Sequence, residues 1–333
     1  MMHRDLSIID ILKFASENHS LSEVVSLRTE GDMHRYNYTD CLSRVCKLAN
    51  ALVGLGIKKG DRVATLAWNG YRHLELYYGI SGIGAVCHTI NPRLSPEQML
   101  YIIEHAGDRL LFVDTTFVPI IEKLIPKLPK NLVIIVMASS DDSSTLSDNF
   151  LNYEQLILES SHDIIWPELP ENTAAGLCYT SGTTGNPKGA LYSHRSTVLH
   201  ALTTSLNLGP SLGDGMKVLP VVPLFHVNAW GLPYAAPLTG TSLIFPGPNL
   251  DGASLFDLMD QENVNSAWGV PTVWLGLLEE IRKQERVPSQ FQNVVIGGSA
   301  APKSMIEEFE SLGITVCHAW GMTEMSPVGT QGF

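Results

Sequence analysis

Ala174-Ala175-Gly176-Leu177-Cys178-Tyr179-Thr180-Ser181-Gly182-Thr183-Thr184-Gly185-Asn186-Pro187-Lys188-Gly189 runs from a short apolar segment into a stretch dense in hydroxyls and glycines. Ala174 to Cys178 reads as a buried strand. The segment after it combines three features that suit an anion. Thr180, Ser181, Thr183 and Thr184 carry hydroxyl donors; Gly182, Gly185 and Gly189 let backbone N–H groups approach closely; Lys188 adds a compact positive charge. Two familiar phosphate motifs fail here. G-x-x-x-x-G-K-[ST] would need glycine at position 187, which is Pro187, and a Ser or Thr after Lys188, which is Gly189. The G-x-G-x-x-G spacing is also absent.

Outward from this loop, the chain alternates short apolar runs with helix-period segments. Val63–Trp68, Ala85–Ile90, Leu110–Val113 and Leu132–Val136 read as strands before it; Leu243–Phe245, Val294–Ile296 and Ile314–Cys317 follow it. Leu42, Val45, Leu48, Leu52 and Leu55 recur at helical spacing, with Gly54 and Gly56 near the stop. Ser95-Pro96-Glu97-Gln98 predicts a helix start, with Ser95 as cap, Pro96 at the first position and Gln98 closing a capping box. Continuous apolar strands separated by helices predict an α/β fold with two mostly parallel sheets flanked by helices. A division near residue 170 is expected, giving a first α/β subdomain (1–170) and a second (171–333). Ser139–Asp148, rich in Ser and Asp, is expected to be an exposed loop.

Composition narrows the function. The 333 residues are 44 % apolar, which suits a real core, and carry a net charge of −12, which disfavours nucleic acid as a partner. Any polyphosphate must therefore be held by local donors and metal ions. Five cysteines without a CxxC pair, and no apolar run near the start, lead us to expect small buried thiols in a cytoplasmic protein. Val218–Leu250 contains no Asp, Glu, Lys or Arg, but prolines at 220, 223, 233, 237, 246 and 248 interrupt it. It is expected to form short buried strands and pocket walls, not a membrane-spanning helix.

Four segments in order carry a specific resemblance. The loop Tyr179–Gly189, Pro223-Leu224-Phe225-His226-Val227-Asn228-Ala229-Trp230-Gly231, Gly297-Gly298-Ser299-Ala300-Ala301 and Ala319-Trp320-Gly321-Met322-Thr323-Glu324 together resemble the adenylate-forming superfamily of acyl-CoA synthetases, adenylation domains and luciferases. The His226–Pro233 string and Gly269–Trp274 are most similar to the long- and medium-chain fatty acyl-CoA synthetases. The resemblance implies ATP and Mg²⁺ as cofactors, coenzyme A as co-substrate and a small carboxylic acid as partner. It further implies that Thr180–Gly185 and Lys188 hold phosphates and that Thr184 and Glu324 hold the metal. Thr323 would contact the α-phosphate, and Gly297, Gly298, Ser299, Ala300, His318, Ala319, Trp320, Gly321 and Met322 would cradle the adenosine. His226 would orient the reacting carboxylate or α-phosphate. Val227, Trp230, Val270, Thr272 and Gly298 would line the acyl side, with Trp230 as its gate. His194 also has a family counterpart and is expected to be structural.

The family pattern continues beyond Glu324 with a ribose-binding Asp, a hinge and a mobile C-terminal domain bearing a catalytic Lys, whereas this sequence stops at Phe333. The chain is therefore expected to be a fragment that binds ATP weakly and turns over poorly. A homodimer is compatible with the resemblance, and peripheral membrane contact with the partitioning of fatty acids into lipid. Three functions compete: a fatty acyl-CoA ligase, an adenylation domain or ligase for short or aromatic acids, and a non-catalytic nucleotide-binding protein.

Overall fold

The computed structural model describes residues 4–140, 150–180, 186–207 and 211–332. Most of the Ser139–Asp148 segment and all of Ser181–Gly185 lie outside the described residues. The chain runs α1 (Ile8–Asn18), the hairpin β1 (Glu23–Leu27) and β2 (Met33–Asn37), α2 (Tyr38–Gly54), β3 (Arg62–Leu66), α3 (Tyr71–Gly82), β4 (Val86–Thr89), α4 (Pro96–Ala106), β5 (Asp108–Asp114), α5 (Val118–Leu124), β6 (Val133–Met137), β7 (Leu151–Asn152) and α6 (Tyr153–Glu159). It continues with β8 (Ala174–Thr180), β9 (Lys188–Ser193), α7 (His194–Asn207), β10 (Lys217–Pro220), α8 (Leu232–Thr239), β11 (Ser242–Phe245), α9 (Gly252–Gln261), β12 (Ser266–Gly269), α10 (Pro271–Gln284), β13 (Asn293–Ile296), α11 (Lys303–Ser311), β14 (Thr315–Gly321) and β15 (Val328–Gly332).

Local chemistry sets the helix ends where expected. Ser95 Oγ accepts from the Gln98 N–H at 3.3 Å while Gln98 Oε1 accepts from the Ser95 N–H at 3.1 Å. The same reciprocal box, unread in the sequence, starts α2 at Asn37 and Asp40. Gly107 ends α4 in the left-handed conformation.

The strands form two sheets, ordered β7-β6-β5-β3-β4-β8-β9 and β15-β14-β13-β12-β10-β11-β1-β2. Pairing is parallel except at the β8/β9, β1/β2 and β14/β15 edges. Alternate strand residues face different cores. Val63, Leu110 and Phe112 point between the sheets with Val218, Leu243 and Trp268. Ala64, Leu111 and Val113 face α4 and α5, and Leu219, Ile244 and Val294 face α9, α10 and α11. Helix α3 lies in the middle with every residue buried. Its glycines allow that: a Cβ on Gly79 would come within 2.7 Å of Leu48 Cδ2, and one on Gly82 within 2.4 Å of Trp166 Cζ3.

Two readings of the sequence differ from the fold. Residue 170 does not separate the sheets. β1 crosses to the second sheet, where Val24 pairs with Leu243, and β8 joins the first, where Cys87 pairs with Gly176. Within Val218–Leu250, the strands β10 and β11 are separated by helix α8, which tolerates two prolines. Pro233 sits in the first turn, where no donor is needed, and the Pro233 carbonyl that Pro237 cannot serve accepts from the Tyr78 hydroxyl at 2.6 Å instead. Among the described residues no helix is long and apolar enough to cross a membrane.

Buried ionisable groups make stability depend on pH. Burial lowers the pKa of His34, His73, His194 and His200 from 6.5 to about 4. Between those values the unfolded chain binds protons that the folded chain does not, so each histidine contributes stability that is lost as pH falls from 6.5 toward 4. Burial instead raises Asp114 from 3.8 to about 7, so that carboxyl opposes the histidines over the same window, and burial raises Asp108 in the same opposing direction. Burial lowers His226 as well, and five histidines against two carboxyls predict a melting temperature that falls on acidification from pH 6.5 to 4.5. Asp114→Asn removes one opposing group, so its melting temperature is expected to fall more steeply than that of the unmodified chain.

Candidate functional site

A cleft opens at the carboxyl ends of β10, β13 and β14, where parallel α/β sheets generally bind ligands. Its cavity volume is about 140 Å³, and it is lined by His226, Val227, Trp230, Gly298, Ala319, Trp320, Gly321, Met322, Thr323, Pro327 and Val328.

One wall is built by the segment after β10. Asn69 clamps its start: the side-chain amide donates to the carbonyls of Pro220 and Val222 at 2.7 and 2.9 Å and accepts from the Leu224 N–H at 2.6 Å. The chain then makes a left-handed turn, with φ of 43° at Val227, 54° at Asn228, 45° at Ala229 and 56° at Trp230, closing on Gly231 at 84°. Each non-glycine residue held there costs roughly 1–2 kcal/mol. Buried groups from other elements hold it. The Tyr77 hydroxyl lies 2.5 Å from the Leu224 carbonyl and 3.1 Å from Asn228 Oδ1, and the Cys178 thiol reaches Asn228 Oδ1 at 3.5 Å. The N–H groups of Val227 and Asn228 also point at the Cys178 sulfur, although burial still pushes that thiol up to about 11. The turn presents Trp230 inward, 7 % exposed, and leaves His226 open to the cleft. Surrounding protein, with the charge of Arg93, lowers the His226 pKa, so the ring is neutral at pH 7 and serves as a hydrogen-bond donor or acceptor.

The floor is glycine. A Cβ on Gly297 would meet both the Ala319 carbonyl and Trp230 Cη2 at 2.8 Å, and one on Gly298, whose φ is 79°, would meet Val270 Cγ1 at 3.0 Å. The opposite wall is the end of β14 and the turn after it. Trp320 stands 52 % exposed. Gly321 packs where a Cβ would lie 2.3 Å from the Pro327 carbonyl, and the Thr323 carbonyl accepts from the Tyr192 hydroxyl of β9.

The structure thus brings His226, Val227, Trp230, Gly298, Ala319, Trp320, Gly321, Met322 and Thr323 to one cleft, with Gly297 directly beneath. Val270 borders Gly298 from the head of α10, and Thr272 sits exposed in that helix's first turn. Ser299, Ala300 and His318 are exposed outside the lining. Ser181, Gly182, Thr183, Thr184 and Gly185 fall outside the described residues. Their flanks are placed: Thr180 ends β8, Lys188 begins β9, the two pair across the ladder, and Thr180 Oγ1 donates to the Lys188 carbonyl at 3.3 Å. The loop therefore joins two antiparallel strands, unlike a strand-to-helix P-loop. Glu324 is exposed in the turn after β14, and its charge helps raise the Tyr192 pKa, after burial and Cys178. Among the described residues no group of three or more His, Cys, Asp or Glu could hold a metal by itself. His194 is fully buried and accepts the Ile8 N–H at 3.1 Å, a structural role as expected. Asn69, Tyr77, Cys178, Tyr192 and His200 support the cleft without any sequence signal, because each comes from a different element and meets the others only in the fold.

Comparison with known proteins gives the family. Residues 14–332 match the family model described as AMP-binding enzyme, and the chain belongs to that family. It is 49 % identical over 332 residues to a medium-chain-fatty-acid–CoA ligase of Ectopseudomonas oleovorans, covering 99 % of this chain and 61 % of the relative. It is 46 % identical to a 3-methylmercaptopropionyl-CoA ligase of Ruegeria pomeroyi, covering 99 % of this chain and 62 % of that one. The chain spans about three-fifths of the length of these relatives. Its fold superposes on the anthranilate CoA ligase AuaEII, solved with anthranoyl-AMP, with a TM-score of 0.87 at 21 % identity, covering 99 % of this chain and 62 % of the other.

The support under the left-handed turn is testable. Tyr77→Phe removes the hydroxyl and leaves the buried Leu224 carbonyl short of a donor. Urea unfolding is expected to show a loss of about 1–3 kcal/mol.

Proposed function

We propose that this chain forms the carboxylate- and ATP-binding part of an acyl-CoA ligase acting on a medium- or long-chain fatty acid. The observation that carries the reading is the single cleft whose two walls are the His226–Trp230 segment and the Trp320–Thr323 segment. An acyl group packed against Trp230 and a nucleotide packed against Trp320 would meet between them.

In the first step a carboxylate oxygen attacks the α-phosphorus of ATP, the bond to the β-phosphate oxygen breaks, and pyrophosphate leaves. Two anions approach each other, so the site must supply positive charge and donors. Lys188 and the loop Ser181–Gly185 would hold the leaving phosphates, Thr323 the α-phosphate, and neutral His226 the carboxylate. Trp320 offers a face to adenine and Gly297 leaves room beside it. Mg²⁺, which would neutralise phosphate charge, suits an exposed carboxylate such as Glu324 together with phosphate oxygens, since it commonly takes only one or two protein carboxylates. In the second step the thiol of coenzyme A displaces AMP from the mixed anhydride, giving a thioester. Because one close relative is a 3-methylmercaptopropionyl-CoA ligase, a short sulfur-containing acid is the second reading.

With ATP and Mg²⁺, the chain at stoichiometric concentration is expected to release pyrophosphate in response to octanoate more than to 3-methylmercaptopropionate. The reverse preference would favour the second reading. No carboxylate-dependent release, together with no calorimetric binding of octanoyl-sulfamoyladenosine, would overturn both. Glu324→Gln is expected to lower the release by about a hundredfold, as loss of a charge-stabilising group does, with an unchanged melting temperature.

A further inference from the structure

His200 lies outside every motif discussed above, yet it touches both walls of the cleft. It projects from α7. Its ring packs beneath Gly231, the residue that closes the left-handed turn, where a Cβ would lie 2.6 Å from Nδ1 and 2.8 Å from Cε1. Its Nε2 accepts the backbone N–H of Val328 at 3.0 Å. Val328 opens β15, pairs with Gly321 of β14 and lines the cleft. Nδ1 faces the buried hydroxyl of Thr204 at 3.5 Å.

The contacts dictate a protonation state. An N–H donor at Val328 requires a lone pair on Nε2, so the proton resides on Nδ1, toward Thr204. A charged imidazolium would lose the Val328 bond. Burial favours the neutral ring as well, lowering its pKa to about 4. One neutral imidazole therefore spans from the turn that carries Trp230 to the strand that follows Trp320 and Thr323.

From this geometry we propose that His200 is a positioning residue that sets the spacing between the acyl-side and nucleotide-side walls. It touches neither ligand. The inference rests on the cleft's assignment to an acyl-adenylate. A ligand that occupies only the nucleotide side does not need the spacing. One that spans both walls does.

The test compares AMP with octanoyl-sulfamoyladenosine, a stable joined mimic, by calorimetry on the whole chain. His200→Phe keeps a ring beneath Gly231 but has no acceptor for Val328. It is expected to bind AMP within about twofold of the unmodified chain and the joined mimic at least about fivefold more weakly, the scale of a donor left unpaired. His200→Gln restores an acceptor on a side chain of similar reach and is expected to recover the mimic's affinity to within about twofold. Equal losses for both ligands, or no loss for the mimic, would overturn the positioning role. If His200→Phe does not fold, His200→Asn and His200→Gln make the same comparison: the shorter amide is expected to fail at Val328 and the longer to succeed, and equal mimic binding by the two would overturn the role. Failure of the unmodified chain to bind the mimic would instead remove the reading of the cleft itself.

Discussion

The cleft depends on four consecutive non-glycine residues, Val227 to Trp230, held in a left-handed turn. Such a run costs several kcal/mol if each residue is charged roughly 1–2 kcal/mol, and a free peptide would abandon it. Here it persists because its polar groups are matched from outside: Asn69 before it, Tyr77 and Cys178 beneath it, and the imidazole of His200 under its closing glycine. The strain does positional work. A right-handed turn of the same length would aim Trp230 and His226 in other directions, and the acyl-side wall would be lost.

Those supports exist only because two sheets lie close together with α3 between them. Tyr77 comes from that helix, Cys178 from β8 of the first sheet, and the turn itself from the end of β10 in the second. Gly79 and Gly82 let α3 sit against Leu48 and Trp166 at distances that any side chain would forbid. Ions reinforce the same packing. Glu75, fully buried, meets Arg44 at 2.7 Å, and Arg72 meets both Glu30 and Glu154 at 2.8 Å, so α2, α3, α6 and the loop after β1 share one network. Removing one member of such a buried set leaves an uncompensated charge, which makes the arrangement hard to alter piecemeal.

Much of the fold was legible where the cause is local. The Leu42, Val45, Leu48 and Leu52 stripe lies on α2, and the Ser95–Gln98 capping box starts α4 where the sequence placed it. Strands buried on both faces, such as β5 and β13, stood out as apolar runs. Edge strands did not. Met33–Asn37 and Val328–Gly332 lack an apolar run because each sheet edge has one covered side and partial exposure, so no strong pattern is imposed. Helix α8 was hidden by its own prolines, since the Tyr78 hydroxyl that satisfies the freed carbonyl is 155 residues away in sequence.

The motifs that define the family, and with them the identity of His226, Trp230, Trp320 and Thr323 as cleft residues, were determined by the sequence alone, because each motif is contiguous and its chemistry is carried by residue type. Which strands enter which sheet, how the left-handed turn is held, and the link from His200 to Val328 were decided only in three dimensions. Those features depend on groups brought together from distant parts of the chain, such as Val24 with Leu243, Tyr77 with Leu224 and His200 with Val328, and a hydrogen bond between distant residues leaves no spacing, period or composition to read along the chain.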